Sequence, residues 1–178
     1  MVIPTERDEA AARLVAALRG TFDASVMNFG SYNILYAANR CGGPVQSGTG
    51  QQEQAGGSAQ LRVASAPHLL VGYRRHPVEL VLCPVDLSEA LPRAAEGSGG
   101  EPVPAVPVTV NLTNLAGLAT EGDDVEITFS TGHRVSLRLC GSAEFQDLPG
   151  VRLHQERDVE DFYDFIDFFM DTVEAQGG

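Results

Sequence analysis

The chain has 178 residues, enough for one domain with a real core and marginal for two. Its twelve basic residues are all arginine and face twenty-four acidic ones, for a net charge of -12 and a pI near 4.6. That balance excludes nucleic acid and anionic membrane as main partners, because both need excess positive charge on the protein.

With 43% hydrophobic and 20% charged residues, the composition is that of a folded, soluble chain. No apolar run approaches the ~18–20 residues needed for a membrane span. Met1 to Glu9 is charged where a secretion leader needs an apolar centre, so a cytoplasmic location is expected. The cysteines, Cys41, Cys83 and Cys140, are odd in number and widely spaced, which fits a reducing compartment better than a disulfide framework.

Residues 5–19 are expected to form a first helix. Thr5 is a good cap, Asp8 stands three residues on, and Gly20 supplies a stop. Ala11, Leu14, Val15 and Leu18 then make an apolar face. Residues 22–38 are rich in Val, Phe, Tyr, Ile and Leu and predict one long strand, or two short ones broken near Gly30-Ser31. Residues 41–60 are dominated by glycine and glutamine, and 92–107 by proline, glycine and alanine among glutamates. Both are expected to be flexible insertions within a single domain, open to proteolysis. A short helix over 86–95, capped by Asp86 or Ser88, precedes the second.

Two hairpins are predicted. In the first, Arg74-Arg75-His76-Pro77 form the turn, so that Tyr73 faces Val78, Val71 faces Leu80 and Leu69 faces Leu82. Leu70 and Val81 on the opposite face point to cover on both sides. In the second, Val125, Ile127 and Phe129 share a face with Val135, Leu137 and Leu139, around a turn at Thr131-Gly132-His133. The expected register sets Glu126 opposite Arg138 and Thr128 opposite Ser136. Val108, Val110 and Leu112 form a further strand, and Asp123-Asp124 mark a turn. A closing helix spans 158–175, with Val159, Phe162, Tyr163, Ile166, Phe169, Met170 and Val173 as its buried stripe. Its other side carries Glu160, Asp164, Asp167, Asp171 and Glu174.

The strand Val108-Thr-Val-Asn-Leu-Thr-Asn-Leu, the hairpin Val125-Glu-Ile-Thr-Phe-Ser-Thr-Gly-His-Arg-Val-Ser-Leu-Arg-Leu and the aromatic helix Phe162-Tyr-Asp-Phe-Ile-Asp-Phe-Phe follow in that order. Together they resemble the end of a pleckstrin-homology-like domain. The resemblance implies a small antiparallel β-barrel or strongly bent sheet, closed by a C-terminal helix, in an α+β fold with an additional N-terminal helix. The order helix, strands, short helix, strands, helix in a small acidic chain also resembles secretion chaperones, which work as dimers.

Candidate chemistry is sparse. His76–Cys83 and His133–Cys140 are each seven apart, an odd separation that puts the members of a strand pair on opposite faces. Cys83 and Cys140 are therefore expected as small buried apolar residues. No Gly-x-Ser-x-Gly elbow occurs, and the glycine clusters at 48–50 and 97–100 do not match a phosphate-binding loop. No catalytic, metal or cofactor residue is assigned. Arg74, Arg75 and His76 at one hairpin tip offer a contact for a phosphate or carboxylate. At a net charge of -12 such a contact acts only at short range. Phe165 and Phe168 lie off the main stripe of the closing helix and are the expected partner surface. The composite expectation is a non-catalytic protein-interaction module binding a protein, a homodimer partner included. The alternatives are an acidic dimeric chaperone and, third, a small-ligand carrier or enzyme.

Overall fold

Leu14, Leu18 and Phe22 are buried at successive helical turns, and this stripe carries the first helix, α1 (Glu6–Ser25), past the expected stop at Gly20. A mid-helix glycine costs ~1 kcal/mol against alanine, whereas burying a phenylalanine contributes ~1.5–3 kcal/mol. The apolar stripe wins. The computed structural model describes residues 6–27, 32–41, 55–96 and 101–178, the side chains of 55–58 and 96 excepted, so the Thr5 cap lies outside the described residues.

Behind α1 follow β1 (Asn33–Asn39), α2 (Ala55–Ser65), β2 (His68–Arg75), β3 (Val78–Pro84) and α3 (Leu87–Glu96). Then come β4 (Val108–Val110), β5 (Leu115–Glu121), β6 (Asp124–Phe129), β7 (Arg134–Arg138), β8 (Ser142–Phe145), β9 (Leu148–His154) and α4 (Glu156–Gly177). Of the stretch 22–38, expected to form one long strand or two short ones, Phe22 to Ser25 are helical and the described strand is β1; the expected break at Gly30-Ser31 lies outside the described residues.

Seven strands pair antiparallel in the order β4-β3-β2-β1-β7-β6-β5, and β8 pairs with β9. The edge strands β4 and β5 are consecutive in the chain and joined by a turn in which Asn111 O accepts from Asn114 N (3.2 Å) and Leu115 N (2.9 Å). The sheet is thus bent into a nearly closed barrel, which with its flanking helices is the expected α+β architecture. The inner face carries Leu35, Val71, Leu82, Ile127 and Val135, covered by α2 through Val63 and by α4 through Phe162, Phe165, Ile166 and Phe169. The outer face of β1–β3 carries Tyr36, Leu70, Val81 and Cys83 beneath α1, α3 and the β8–β9 hairpin.

Both hairpins keep their expected faces but slip by two residues. Tyr73 pairs with Leu80 and Val71 with Leu82, around the two residues His76 and Pro77, joined by a cis peptide bond. In the second hairpin Glu126 pairs with Ser136, and Asp124 with Arg138. A two-residue slip leaves every side chain on its original face, so the apolar pattern cannot choose between these registers; turn length does. The expected Glu126–Arg138 pair is replaced by a diagonal salt bridge from Glu126 to Arg134 (2.7 Å).

The insertions are less empty than their composition. α2 begins inside the first, and Asn39 Nδ2 donates to Ala64 O (3.0 Å) and Ala66 O (2.9 Å) at its C-terminal end. α3 runs through Pro92, with Asp86 Oδ1 accepting from Ser88 N (2.9 Å) as expected of its cap. Residues 101–107 lie along α1, where Ala105 N donates to Ser25 Oγ (2.8 Å). Residues 42–54 and 97–100, including most of the glycine clusters, lie outside the described residues. Leu112, expected in a strand, sits in the turn after β4 and is 43% exposed. Cys140, expected to be buried, is exposed beyond the end of β7, with parity opposite to the inward-facing Leu137 and Leu139. Among the described residues no helix is long and apolar enough to cross a membrane.

Candidate functional site

Successive residues of a strand point to opposite faces, and this separates the two arginines at the first hairpin tip. Arg75 reaches the inner face. Its guanidinium forks onto Asp161 of α4, with Nη2 donating to Oδ1 (3.0 Å) and Nη1 to Oδ2 (3.2 Å), and lies 5.9 Å from the ring centre of Phe165. Tyr73 Oη donates to the same carboxylate (2.9 Å). These donors hold the Asp161 carboxyl below the usual range, while burial and the Asp161 hydrogen bond push the Tyr73 phenol far up.

Arg74 turns to the outer face. It pairs with Glu79 (2.6 Å) and lies 4.4 Å from the ring centre of Tyr32, whose hydroxyl hydrogen-bonds the same carboxylate. Burial, then Glu79, raise the Tyr32 phenol to about 12. His76 stands exposed at the tip. The three groups expected to share an anion therefore diverge, and both arginines already face carboxylates. They tie the hairpin to α4 on one side and to the approach to β1 on the other.

Phe165 is corrected from partner surface to core. It is fully buried against Tyr73, Phe162 and Phe169, with ring centres 4.9, 6.1 and 5.7 Å away. Positions 162, 165, 166 and 169 form their own helical stripe, so the buried arc is centred there, and Tyr163, Met170 and Val173 are only partly covered. Phe168 is 37% exposed. Glu160, Asp164, Asp167, Asp171 and Glu174 of α4 are exposed, and among the described residues no three His, Cys, Asp or Glu side chains converge to hold a metal ion.

Buried polar residues serve the scaffold. Gln155 Oε1 accepts from Tyr36 N (2.9 Å), and its Nε2 donates to Tyr36 O (2.8 Å) and Cys140 O (2.9 Å). Asn39 Oδ1 accepts from Ser136 N (3.1 Å). Both amides join β1 to the chain around β7, where the strands themselves pair only through Ala38–Arg138 and Asn39–Leu137.

The surface feature with binding character lies elsewhere. β5 hydrogen-bonds to β6 on one side and, among the described residues, ends the sheet on the other. Its register slips between Leu115 and Gly117. Beside it runs a groove of about 190 Å³ against the C-terminal half of α4, lined by Leu115, Leu118, Phe169, Met170 and Val173, with Glu174 at its rim. This site escapes sequence reading because Leu115-Ala-Gly-Leu-Ala-Thr-Glu has poor strand propensity. The one available signal is the run of apolar residues, Met170 and Val173, continuing beyond the buried arc. Comparison with protein-family models, curated proteins and solved structures gave no match.

Proposed function

We propose that this chain is a non-catalytic protein-interaction module that binds an extended segment of a partner protein along the open edge of β5. The observation that carries this reading is the coincidence of a sheet edge unpaired among the described residues with an apolar groove. The edge offers backbone donors and acceptors, and the groove offers a place for alternate side chains, which is the physics of strand addition. Glu174 at the rim and the exposed Asp167 and Asp171 on the same helix favour a partner carrying arginine or lysine beside its apolar residues. The strand order, with β1 joining two antiparallel halves and α4 covering the interior, supports placing the chain in the pleckstrin-homology-like class. The free cysteines Cys41, Cys83 and Cys140 support a cytoplasmic setting.

Fluorescence anisotropy with peptides alternating Leu or Val with Arg tests the reading, with Glu-containing counterparts and anionic liposomes as controls. Binding of the basic peptides is expected, weakened at least about tenfold by Val173→Asp. No binding, or binding indifferent to Val173→Asp, overturns the groove; loss on Phe168→Ala alone moves the contact to the other side of α4. A dimeric chaperone is the second reading, favoured by exposed Val15, Met27, Val103 and Val106, although α2 interrupts the expected run of strands between β1 and β2. A dimer mass in light scattering favours it.

A further inference from the structure

Residues 101–107, Glu-Pro-Val-Pro-Ala-Val-Pro, lead into β4 without forming helix, strand or turn. Pro102, Pro104 and Pro107 have their φ fixed by the ring and carry no N–H. Each also pushes the residue before it, Glu101, Val103 or Val106, to extended backbone, so that Ala105 alone escapes both constraints. The result is a segment biased to polyproline II, a left-handed helix that turns once in about 3 residues. Burial repeats with that period. Pro102 and Ala105 are half-buried and Val108 is buried, whereas Val103, Pro104 and Val106 are exposed. A strand would bury every second residue, and the adjacent Val103 and Pro104 are both exposed.

Three residues per turn make a three-edged rod. The edge of Pro102, Ala105 and Val108 is fixed to the body: a Cβ on Gly20 of α1 would stand 3.4 Å from Pro102 Cγ, and Ala105 N donates to Ser25 Oγ (2.8 Å). The edge of Val103 and Val106 faces solvent, at 55% and 47% exposure, and beside it runs the edge of exposed Pro104 and half-buried Pro107. Val103-Pro104 and Val106-Pro107 are thus two equivalent apolar pairs, one turn apart. The surroundings are acidic. Glu101 is exposed at the start of the segment, and exposed Asp86 and Glu89 share with Val103 and Pro104 the lining of a cleft of about 360 Å³. Of the basic groups in that cleft, half-buried Arg93 donates to Thr21 Oγ1 (2.7 Å), and burial favours the neutral form of His68.

We propose that residues 101–107 are a docking strip for a proline-reading partner domain, whose aromatic-walled groove takes the two Val-Pro pairs and whose basic rim meets Glu101, Asp86 and Glu89. Aromatic rings pack on the flat faces of proline, and a segment already held in polyproline II loses little entropy on binding. A groove meets two edges of a three-edged rod. The third edge is the one already seated on α1, so docking leaves that seat intact. Opposite charge on the rim adds selectivity and speeds encounter. This contact is separate from the β5 groove: there the chain receives an extended segment, and here it supplies one.

The test is biolayer interferometry of the full chain against a panel of purified Src-homology-three domains, each with its natural acidic rim and with arginine in place of the rim acids. The arginine-rimmed forms are expected to bind with Kd of about 100 μM or tighter, and the acidic forms at least about tenfold more weakly. The double variant Val103→Ser/Val106→Ser is expected to weaken binding at least about tenfold, and Pro104→Ala to weaken it as well. Both valines are exposed, so the double variant keeps its thermal melt and reads the contact rather than the fold. The Leu–Arg peptides that probe the β5 groove are expected not to compete. The proposal is overturned by absence of binding to the arginine-rimmed forms, by an unchanged affinity of the valine double variant, or by competition from those peptides. A dimer of the chain that is lost in the valine double variant also overturns it, by giving the strip to a second copy.

Discussion

The two halves of the sheet share an interior and differ outside. In β2 and β3 burial is continuous, from Leu69 through Tyr73 and from Leu80 through Cys83. In β6 and β7 it alternates, with Val125, Ile127, Phe129, Val135 and Leu137 buried and Glu126, Thr128 and Ser136 only partly covered. The first half supports α1, α3 and the β8–β9 hairpin on its outer face; among the described residues the second carries no such layer, and Glu126, Thr128 and Ser136 stay partly exposed. An unbroken apolar run marks a strand buried on both faces, and an alternating run marks a single covered face. Layers are added where the outer surface is apolar.

Equivalent truncations on the two outer faces test this contrast most strongly. Leu70→Ala on β2 is expected to cost about 2–5 kcal/mol, whereas Thr128→Ala on β6 should stay within about 0.5 kcal/mol. In thermal melts the first corresponds to roughly 4–20 °C. Equal effects break the comparison.

The seam between the halves comes next. Asn39→Ala removes the acceptor for Ser136 N and the donor to the end of α2, and is expected to cost about 2–3 kcal/mol. Hydrogen exchange should quicken in α2 and around Ser136 before the rest of β2 and β3. Uniform exchange throughout would mean that the seam is not a local weak point.

A methyl group gives a finer comparison. A Cβ on Gly72 would stand 2.2 Å from Phe22 Cζ, but on Gly117 of β5 its nearest contact is Thr128 Cβ at 3.9 Å. Gly72→Ala should therefore destabilise by about 1–3 kcal/mol, because α1 must move off the sheet. Gly117→Ala should be neutral or stabilise by up to about 1 kcal/mol through lost unfolded-state freedom. Denaturant midpoints measure both.

The smallest effect is in acid. The Asp161 carboxyl, held low first by Arg75 and then by Tyr73, binds its proton less readily folded than unfolded. Its contribution is complete above the unfolded value near ~3.9 and fades as pH falls toward the lower folded value. Asp158, raised by burial and by Asp161, works in the opposite sense. Asp161→Asn should flatten the loss of stability below about pH 4 without altering the outer face of either half. An unchanged acid limb would show that the Arg75 fork adds nothing there.

The covered faces of both hairpins, the closing aromatic helix and the short helix before residue 97 were legible because each expresses a local period of burial. The strand registers were not, since slips of two residues present identical faces. β5 was hidden by its alanines and glycine. The β8–β9 hairpin carries Pro149 and Gly150, which obscure the alternation of Val151 and Leu153. Phe165 was misplaced because a wide helical stripe has no unique centre until its neighbours are known. The candidate site was less legible still: Arg74 and Arg75 are adjacent in sequence yet held by different carboxylates on opposite faces.

By itself the order of amino acids determined which side chains of α1, α3, α4 and the two hairpins must leave water, and with them the α+β class; α2 was not among them. These follow from hydrophobic periodicity, which is local. Only the tertiary structure decided that α1 runs past Gly20, that Asn39 and Gln155 stitch β1 to the chain around β7, and that β5 is, among the described residues, an edge strand beside α4. Each of those depends on a partner distant in the chain, and a hydrogen-bond donor or an exposed strand edge is defined only by what does, or does not, come to meet it.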